Sequence, residues 1–337
     1  MKPKVFGCLG VLLALLLFAS VMLNVGLIAS HSSPLSLDGA PPRLLREPFS
    51  SEQLAPAKDS RTRDTIVQID LASVITGEGG PGSSMVTEMK AALGQAVEDS
   101  RVKAIVLRVD SPGGEVTASD TIYAAVKDAA ARKPVVVFMD SIAASGGYYI
   151  ACGARHIVAH PTAITGSIGV IMQGYGVKGL MEKAGVETRT FKSGAMKDAG
   201  SMSRDMTEEE RAEFQRLVMQ NYERFVGIVS EARGIPVEEL KNGAADGRVF
   251  LGESAKAHKL VDETGYIEAA YDAAKRLAGI EDAEIIRYAR QPRLRDFLGM
   301  LGQSQAAPPR VEIDVVRRLL PPLKPGHCYY LWPGAAD

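Results

Sequence analysis

The chain has 337 residues, 39 basic and 40 acidic side chains, a formal net charge of -1 and 46% hydrophobic residues. That balance fits a globular protein and argues against a polyanion binder, because no basic excess exists to neutralise phosphates; no nucleic-acid partner is expected. Three cysteines (Cys8, Cys152, Cys328) are too scattered for a disulfide framework or zinc site, and the five histidines show no HExxH spacing, so neither metal nor cofactor is expected.

The N-terminal MKPK is followed by VFGCLGVLLALLLFASVMLNVGLI, which carries no charge from Val5 to Ile28. At about 1.5 Å per residue this run reaches about 36 Å, enough to cross a hydrocarbon core of about 30 Å with some tilt. Lys2 and Lys4 precede it, and the next basic residues are Arg43 and Arg46. Residues 1–28 are therefore expected to be a cytoplasmic stub and single transmembrane signal anchor in the cell (inner) membrane, with the body extracytoplasmic. The alternative is a cleaved signal peptide, but the run is long for one and no clear A-x-A site follows it. Residues 29–63 are rich in Ser, Pro and charge without a sustained period, which predicts a flexible linker.

Residues 64–290 alternate between strand and helix patterns. TIVQIDLASVI (65–75), AIVLRVD (104–110) and PVVVFMD (134–140) read as buried strands, and HIVAHP (156–161) as a further one. MVTEMKAALGQAVEDS and TASDTIYAAVKDAAARK between them read as helices. Strands alternating with helices of this length imply βαβ units and a mainly parallel sheet. Further on, Thr207 and Glu210 form a capping box. Phe214, Leu217, Val218, Tyr222, Phe225 and Val229 then fall on one face of a long helix. Shorter helices are expected at PVEELKNGA and GYIEAAYDAAKRLAG. The tail, 291–337, contains prolines, and its one firm feature is an apolar YYLW; its role stays open.

Two glycine turns stand where such a fold places chemistry. DSPGGEV (110–116) follows a buried strand, so its glycines can direct backbone N–H groups outward with no Cβ in a ligand's way. That edge of an open α/β sheet is where ligands bind. One βαβ unit later, SIAASGGYYIACGA (141–154) puts Ser145 between a strand and a helix start. A helix N-terminus there stabilises a developing oxyanion. A plain N-cap would explain Ser145 but not the small residues on both sides. A serine nucleophile needs a base. His156 and His160 lie on a predicted strand away from the turns, whereas TFKSGAMKDAGSMSRDMTEEE supplies Lys192 and Lys197. A lysine serves as base when desolvation disfavours its ammonium form, although most lysines are solvated surface charges.

SPGG, SIAASGGYYIA, TGSIGVI and FKSGAMKDAGSMSRDMTEEE, in that order, together with GRVFLGESAKAHKLVDETG, strongly resemble signal peptide peptidase A of the short, single-repeat type. The resemblance runs from about Thr65 to about Tyr288 and includes the N-terminal anchor. It implies a crotonase/Clp-protease-like βαβ superhelix and a Ser/Lys dyad. Carried over, Ser145 is the nucleophile, Lys197 the general base with Lys192 as runner-up, and Ser167 of TGSIG orients the lysine. Gly114 and Gly146 donate the oxyanion-hole N–H groups, and Gly113 and Gly114 line the substrate edge, where a peptide would pair in extended form. The resemblance further implies cleavage of remnant signal peptides and unfolded segments. It also implies closed homo-oligomeric rings, octameric in the short class, with each serine and lysine drawn from neighbouring subunits. Two other readings stand beside it. One is a catalytically inactive membrane-bound peptide-binding scaffold; the other is an acyl-CoA-handling crotonase-like enzyme, against which the ASGGYY serine and exported location speak.

Overall fold

The computed structural model describes residues 20, 49–77, 79–80, 83–289 and 327–332. Apart from Ser20, the expected membrane span lies outside them. Among the described residues no helix is long and apolar enough to cross a membrane.

In chain order the strands begin with β1 (Ser50–Ala55) and β2 (Thr65–Ala72), then the short pair β3 (Gly79–Gly80) and β4 (Ser83–Ser84). β5 (Val102–Ser111), β6 (Gly113–Glu115), β7 (Val135–Ala144), β8 (His156–Ala159), β9 (Ile164–Gly166) and β10 (Ile171–Met172) follow. β11 (Val249–Leu251), β12 (Glu263–Thr264), β13 (Glu284–Ala289) and β14 (Cys328–Leu331) complete the set. The helices are α1 (Met85–Glu98), α2 (Val116–Arg132), α3 (Gly146–Ala151), α4 (Lys178–Lys183), α5 (Glu208–Arg233), α6 (Val237–Lys241), α7 (Gly252–Ala257) and α8 (Ile267–Ala278).

The main sheet runs β1-β13-β2-β5-β7-β8-β12, with β9 also on β7 and β11 on β9. From β13 to β12 every neighbouring pair is parallel; β1–β13 and β11–β9 are antiparallel. This is the mainly parallel α/β sheet that the alternation predicts. Central strands covered on both faces read as near-continuous apolar runs, and period two divides them between two cores. Val67, Ile69, Ile105 and Leu107 pack toward α1 and α2. Ile66, Ala104, Val106 and Phe138 pack against Ala270, Ala273 and Ala274 of α8.

The predicted capping box closes α5: Glu210 N–H donates to the Thr207 hydroxyl at 3.2 Å, and Thr207 N–H donates to the Glu210 carboxylate at 3.0 Å. Along the expected helix face Phe225 and Val229 are buried, but Phe214, Leu217 and Val218 are only half-buried, because the first half of the helix extends past the core.

The boundaries differ from the sequence reading at both ends. The linker expected over 29–63 contains β1, an edge strand on β13 whose SSEQLA residues are mostly exposed and so carry no alternation. The tail contributes β14 to a second, antiparallel sheet ordered β10-β14-β6. Both segments complete a body that reaches beyond 64–290.

Candidate active site

β7 ends in Ala143 and Ala144, both fully buried, and the chain then turns sharply at Ser145. Ser145 holds φ 53° and ψ -111°, a conformation that costs a non-glycine residue about 1–3 kcal/mol. The turn is pinned from both sides. Ser145 N–H donates to the Gly166 carbonyl and Tyr149 N–H donates to the Ser145 carbonyl, each at 2.8 Å. Among the described residues the hydroxyl is buried without a hydrogen-bond partner, and it makes no capping bond to α3. A buried hydroxyl left unpaired costs about 1–3 kcal/mol. Strain and an idle hydroxyl at one residue are what a presented nucleophile requires, and what an N-cap would not show.

The small residues around Ser145 let two turns touch. A Cβ on Gly113, whose φ is +100°, would lie 2.6 Å from the Gly146 amide nitrogen and 2.0 Å from the Tyr330 carbonyl oxygen. A Cβ on Gly146 would lie 2.6 Å from Ser119 Oγ and 3.2 Å from the Gly113 Cα. The SPGG and SGG turns therefore meet backbone to backbone, which brings the predicted donors Gly114 and Gly146 to one place. Gly113 is held from beyond: Ile75 N–H donates to its carbonyl, and Glu115 N–H donates to the Ile75 carbonyl, both at 2.8 Å.

Ser167 joins this cluster. β7 and β9 pair so that Ala144 faces Gly166, which places Ser167 one residue past the partner of Ser145's neighbour. Ser167 is buried and has φ 51°, and its N–H donates to the Arg248 carbonyl at 2.8 Å. The lysines do not join it. Lys197 sits exposed on the 3-10 turn Ala195–Asp198, and its side chain has no hydrogen-bond or ion-pair partner among the described residues. Lys192 is committed to Asp198 at 2.7 Å and to the Ala195 carbonyl at 3.1 Å. Hydrogen bonds from Arg204 and then Lys192 hold the Asp198 carboxyl well below the usual carboxylate range. Lys192 thus serves as a strut of the turn that presents Lys197.

The histidines stay apart, as the sequence predicts. His156 lies beside Glu263 and Asp262, and His160 bonds Thr162. Burial pushes the Cys152 thiol up to about 12, so it offers no thiolate near neutral pH.

Sequence reasoning left the tail unassigned, and the tail supplies an unforeseen component. β14 lies antiparallel to β6 on one side and to β10 on the other. Tyr330 is fully buried beside the two glycine turns. The apolar YYLW was the only local signal, and it could not indicate a partner so distant in the chain.

Comparison with known proteins agrees with this geometry. The model of Peptidase family S49 matches residues 127–281, and that of Clp protease matches 59–190. A Synechocystis chain provisionally named a protease is 38% identical over 224 residues, covering 66% of this chain and 78% of that one. A chain of Enterococcus faecium provisionally named signal peptide peptidase SppA is 37% identical over 244 residues, covering 68% and 69%. Protease 4 of Salmonella typhi is 35% identical over 252 residues, covering 74% of this chain and 40% of its own length.

Proposed function

The chain belongs to peptidase family S49 and is a serine endopeptidase; from that premise we propose that it is membrane-anchored and cuts remnant signal peptides and other unfolded segments with a Ser/Lys dyad shared between neighbouring subunits. The observation that carries the reading is the strained, buried and unpartnered hydroxyl of Ser145, set against the touching glycine turns. The apolar run from Val5 to Ile28 supports the anchor and an extracytoplasmic body.

In this reading the Ser145 Oγ attacks the scissile carbonyl carbon, and its proton passes to the neutral amine of Lys197 of the partner subunit. Negative charge grows on the carbonyl oxygen, where the N–H groups of Gly114 and Gly146 stabilise it. The C–N bond then breaks, the leaving amine takes the proton from the lysine, and water hydrolyses the ester on Ser145 by the same exchange.

Sharing between subunits is supported by the segment around Lys197. Leu180, Val186, Phe191, Met196, Met202 and Met206 are all exposed there, and Phe191 is 95% exposed. Apolar side chains concentrated on one exposed segment mark a surface that another chain covers. A neighbour packed on it would also withdraw Lys197 from water, the condition for a lysine base. Contacts of this head-to-tail kind close into a ring when the rotation per subunit permits, and an octamer is the expected size.

Co-expression of Ser145→Ala and Lys197→Ala chains tests the arrangement. Each variant alone should be inactive while folding normally. In rings shown by two affinity tags to be mixed, random assembly leaves roughly a quarter of the sites whole and restores activity to that extent. Background activity from verified mixed rings refutes the shared site, and near-normal turnover by Ser145→Ala removes Ser145 from the mechanism.

A further inference from the structure

We propose that Arg204 is a positioning residue for the reaction, acting through Asp198 to fix the turn that carries Lys197 onto the first turn of α5; this rests on Lys197 being the base. Packing does not place that turn. Residues 182–197 are all exposed, and no residue of Ala195–Asp198 is buried. The backbone bonds of the turn are local: Lys197 N–H donates to the Gly194 carbonyl and Ser201 N–H to the Asp198 carbonyl, each at 3.1 Å. Such bonds shape a turn but do not orient it on the body of the protein.

Arg204 supplies that orientation. Its Nε donates to one carboxylate oxygen of Asp198 at 3.0 Å. Its Nη2 donates to the other oxygen at 2.8 Å and to the Asp198 carbonyl at 3.1 Å. On the far side Nη1 donates to the Glu210 carboxylate and to the Asp205 carbonyl, each at 3.0 Å, and Nη2 also bonds Glu210. One planar guanidinium therefore spans two carboxylates, which the point charge of a lysine does not do. These are not solvated surface pairs, because the side chains of Asp198 and Glu210 are only 14% and 2% exposed. Lys192 adds a bond to Asp198 at 2.7 Å from a flexible stem, and its contribution is secondary.

Glu210 passes the constraint on. It closes the capping box of α5, so the guanidinium is bound to a rigid element rather than to a loop. Further along that helix Phe225 is fully buried, with its ring centroid 5.0 Å from that of Tyr149. Arg224, beside it, donates to Asp120 at 2.6 Å. Tyr149 belongs to α3, the helix that Ser145 opens. One helix thus holds the lysine turn at its start and packs on the serine's own helix further along. Misplacing a reacting group by about 1 Å costs about 100-fold in rate. Arg204 therefore governs the rate through the position of Lys197 and leaves substrate binding alone.

The test uses full-length chains carrying Arg204→Met or Arg204→Lys and a quenched peptide substrate. Arg204→Met should lower kcat at least about 100-fold with KM within about twofold. Arg204→Lys should stay at least about tenfold low, because it restores the charge without the fork. Rings shown by two affinity tags to be mixed then locate the defect. Arg204→Met with Ser145→Ala should regain activity in roughly a quarter of the sites, as Lys197→Ala with Ser145→Ala does, because each chain supplies the half that the other lacks. Arg204→Met with Lys197→Ala should rise no higher than Arg204→Met alone. Recovery by the Lys197→Ala pair only overturns the inference, since the serine half of the Arg204 variant is then damaged as well. Near-normal turnover by either Arg204 variant, or a loss carried mainly by KM, overturns it too. If the Lys197→Ala pair itself stays at background, the shared site fails, and the kcat and KM of the two variants still decide what Arg204 does within its own chain. Where Arg204→Met forms no rings, Arg204→Lys takes its place in every arm.

Discussion

Gly114→Ala tests the requirement that the SPGG turn packs against the Ile75 backbone with no side chain between them. A Cβ there would lie 1.9 Å from the Ile75 carbonyl oxygen and 2.6 Å from both its carbonyl carbon and its amide nitrogen. These are backbone atoms, so no side-chain rotation relieves the clash. Restoring ordinary contact means moving the oxygen from 1.9 to at least 3.4 Å, a displacement of about 1.5 Å. Ile75 is fully buried and is tied by two 2.8 Å hydrogen bonds, one to Gly113 and one from Glu115. Losing two such bonds costs about 1 kcal/mol each, and partial loss of a buried isoleucine's packing adds about 1–3 kcal/mol. The expected penalty is about 3–5 kcal/mol, or a fall in thermal midpoint of about 6–20 °C for a domain of this size. The Gly114 N–H would shift with its strand, so kcat should fall about 100- to 1,000-fold, as when one oxyanion donor is lost. Differential scanning calorimetry and peptide turnover on the same preparation read both quantities. A midpoint within about 1 °C of the unaltered chain, with normal kcat, would refute the contact argument.

Two further changes probe the scaffold. Gly227 is exposed inside α5, and a Cβ there would meet nothing within 4 Å, so Gly227→Ala should stabilise the fold by about 0.5–1 kcal/mol with activity unchanged; a lower thermal midpoint would contradict the helix placement. Arg233 bonds Asp262 at 2.8 and 3.1 Å and ties the end of α5 to the strand β12 region. Burial works against the Asp262 carboxylate, but bonds from Arg233 and the Ile157 N–H outweigh it and hold its pKa below the ordinary value. A depressed carboxylate pKa stabilises the fold above the unfolded value of about 3.9, and that contribution is lost as pH falls through the folded value. Arg233→Met should therefore be about 1.5–3 kcal/mol less stable near pH 7, and urea titrations of the two chains should converge below about pH 4. A deficit of constant size across that range would remove the ion pair as its cause.

The local requirements of the catalytic turn are written in residue type, and so they were legible without the fold. Ser145 must stand between small residues where a strand turns into a helix, and SIAASGGYY states that directly, although its positive φ emerged only in the fold. The same holds for the SPGG edge, the buried parallel strands and the Thr207 capping box, because each depends on neighbours within a few positions. What only the tertiary structure decided is non-local. β1 lacks alternation because it lies on an edge with most of its side chains in water, and only its pairing with β13 reveals it. Lys197 looks like a partner of Ser145 in the sequence, yet its turn is strutted by Lys192, Asp198 and Arg204 on an exposed apolar segment. Most of all, nothing near YYLW specifies that Tyr330 should face Gly114. That pairing arises because β6 and β10 leave unpaired backbone edges on either side of an aromatic pocket, and an extended apolar segment satisfies edges and pocket together.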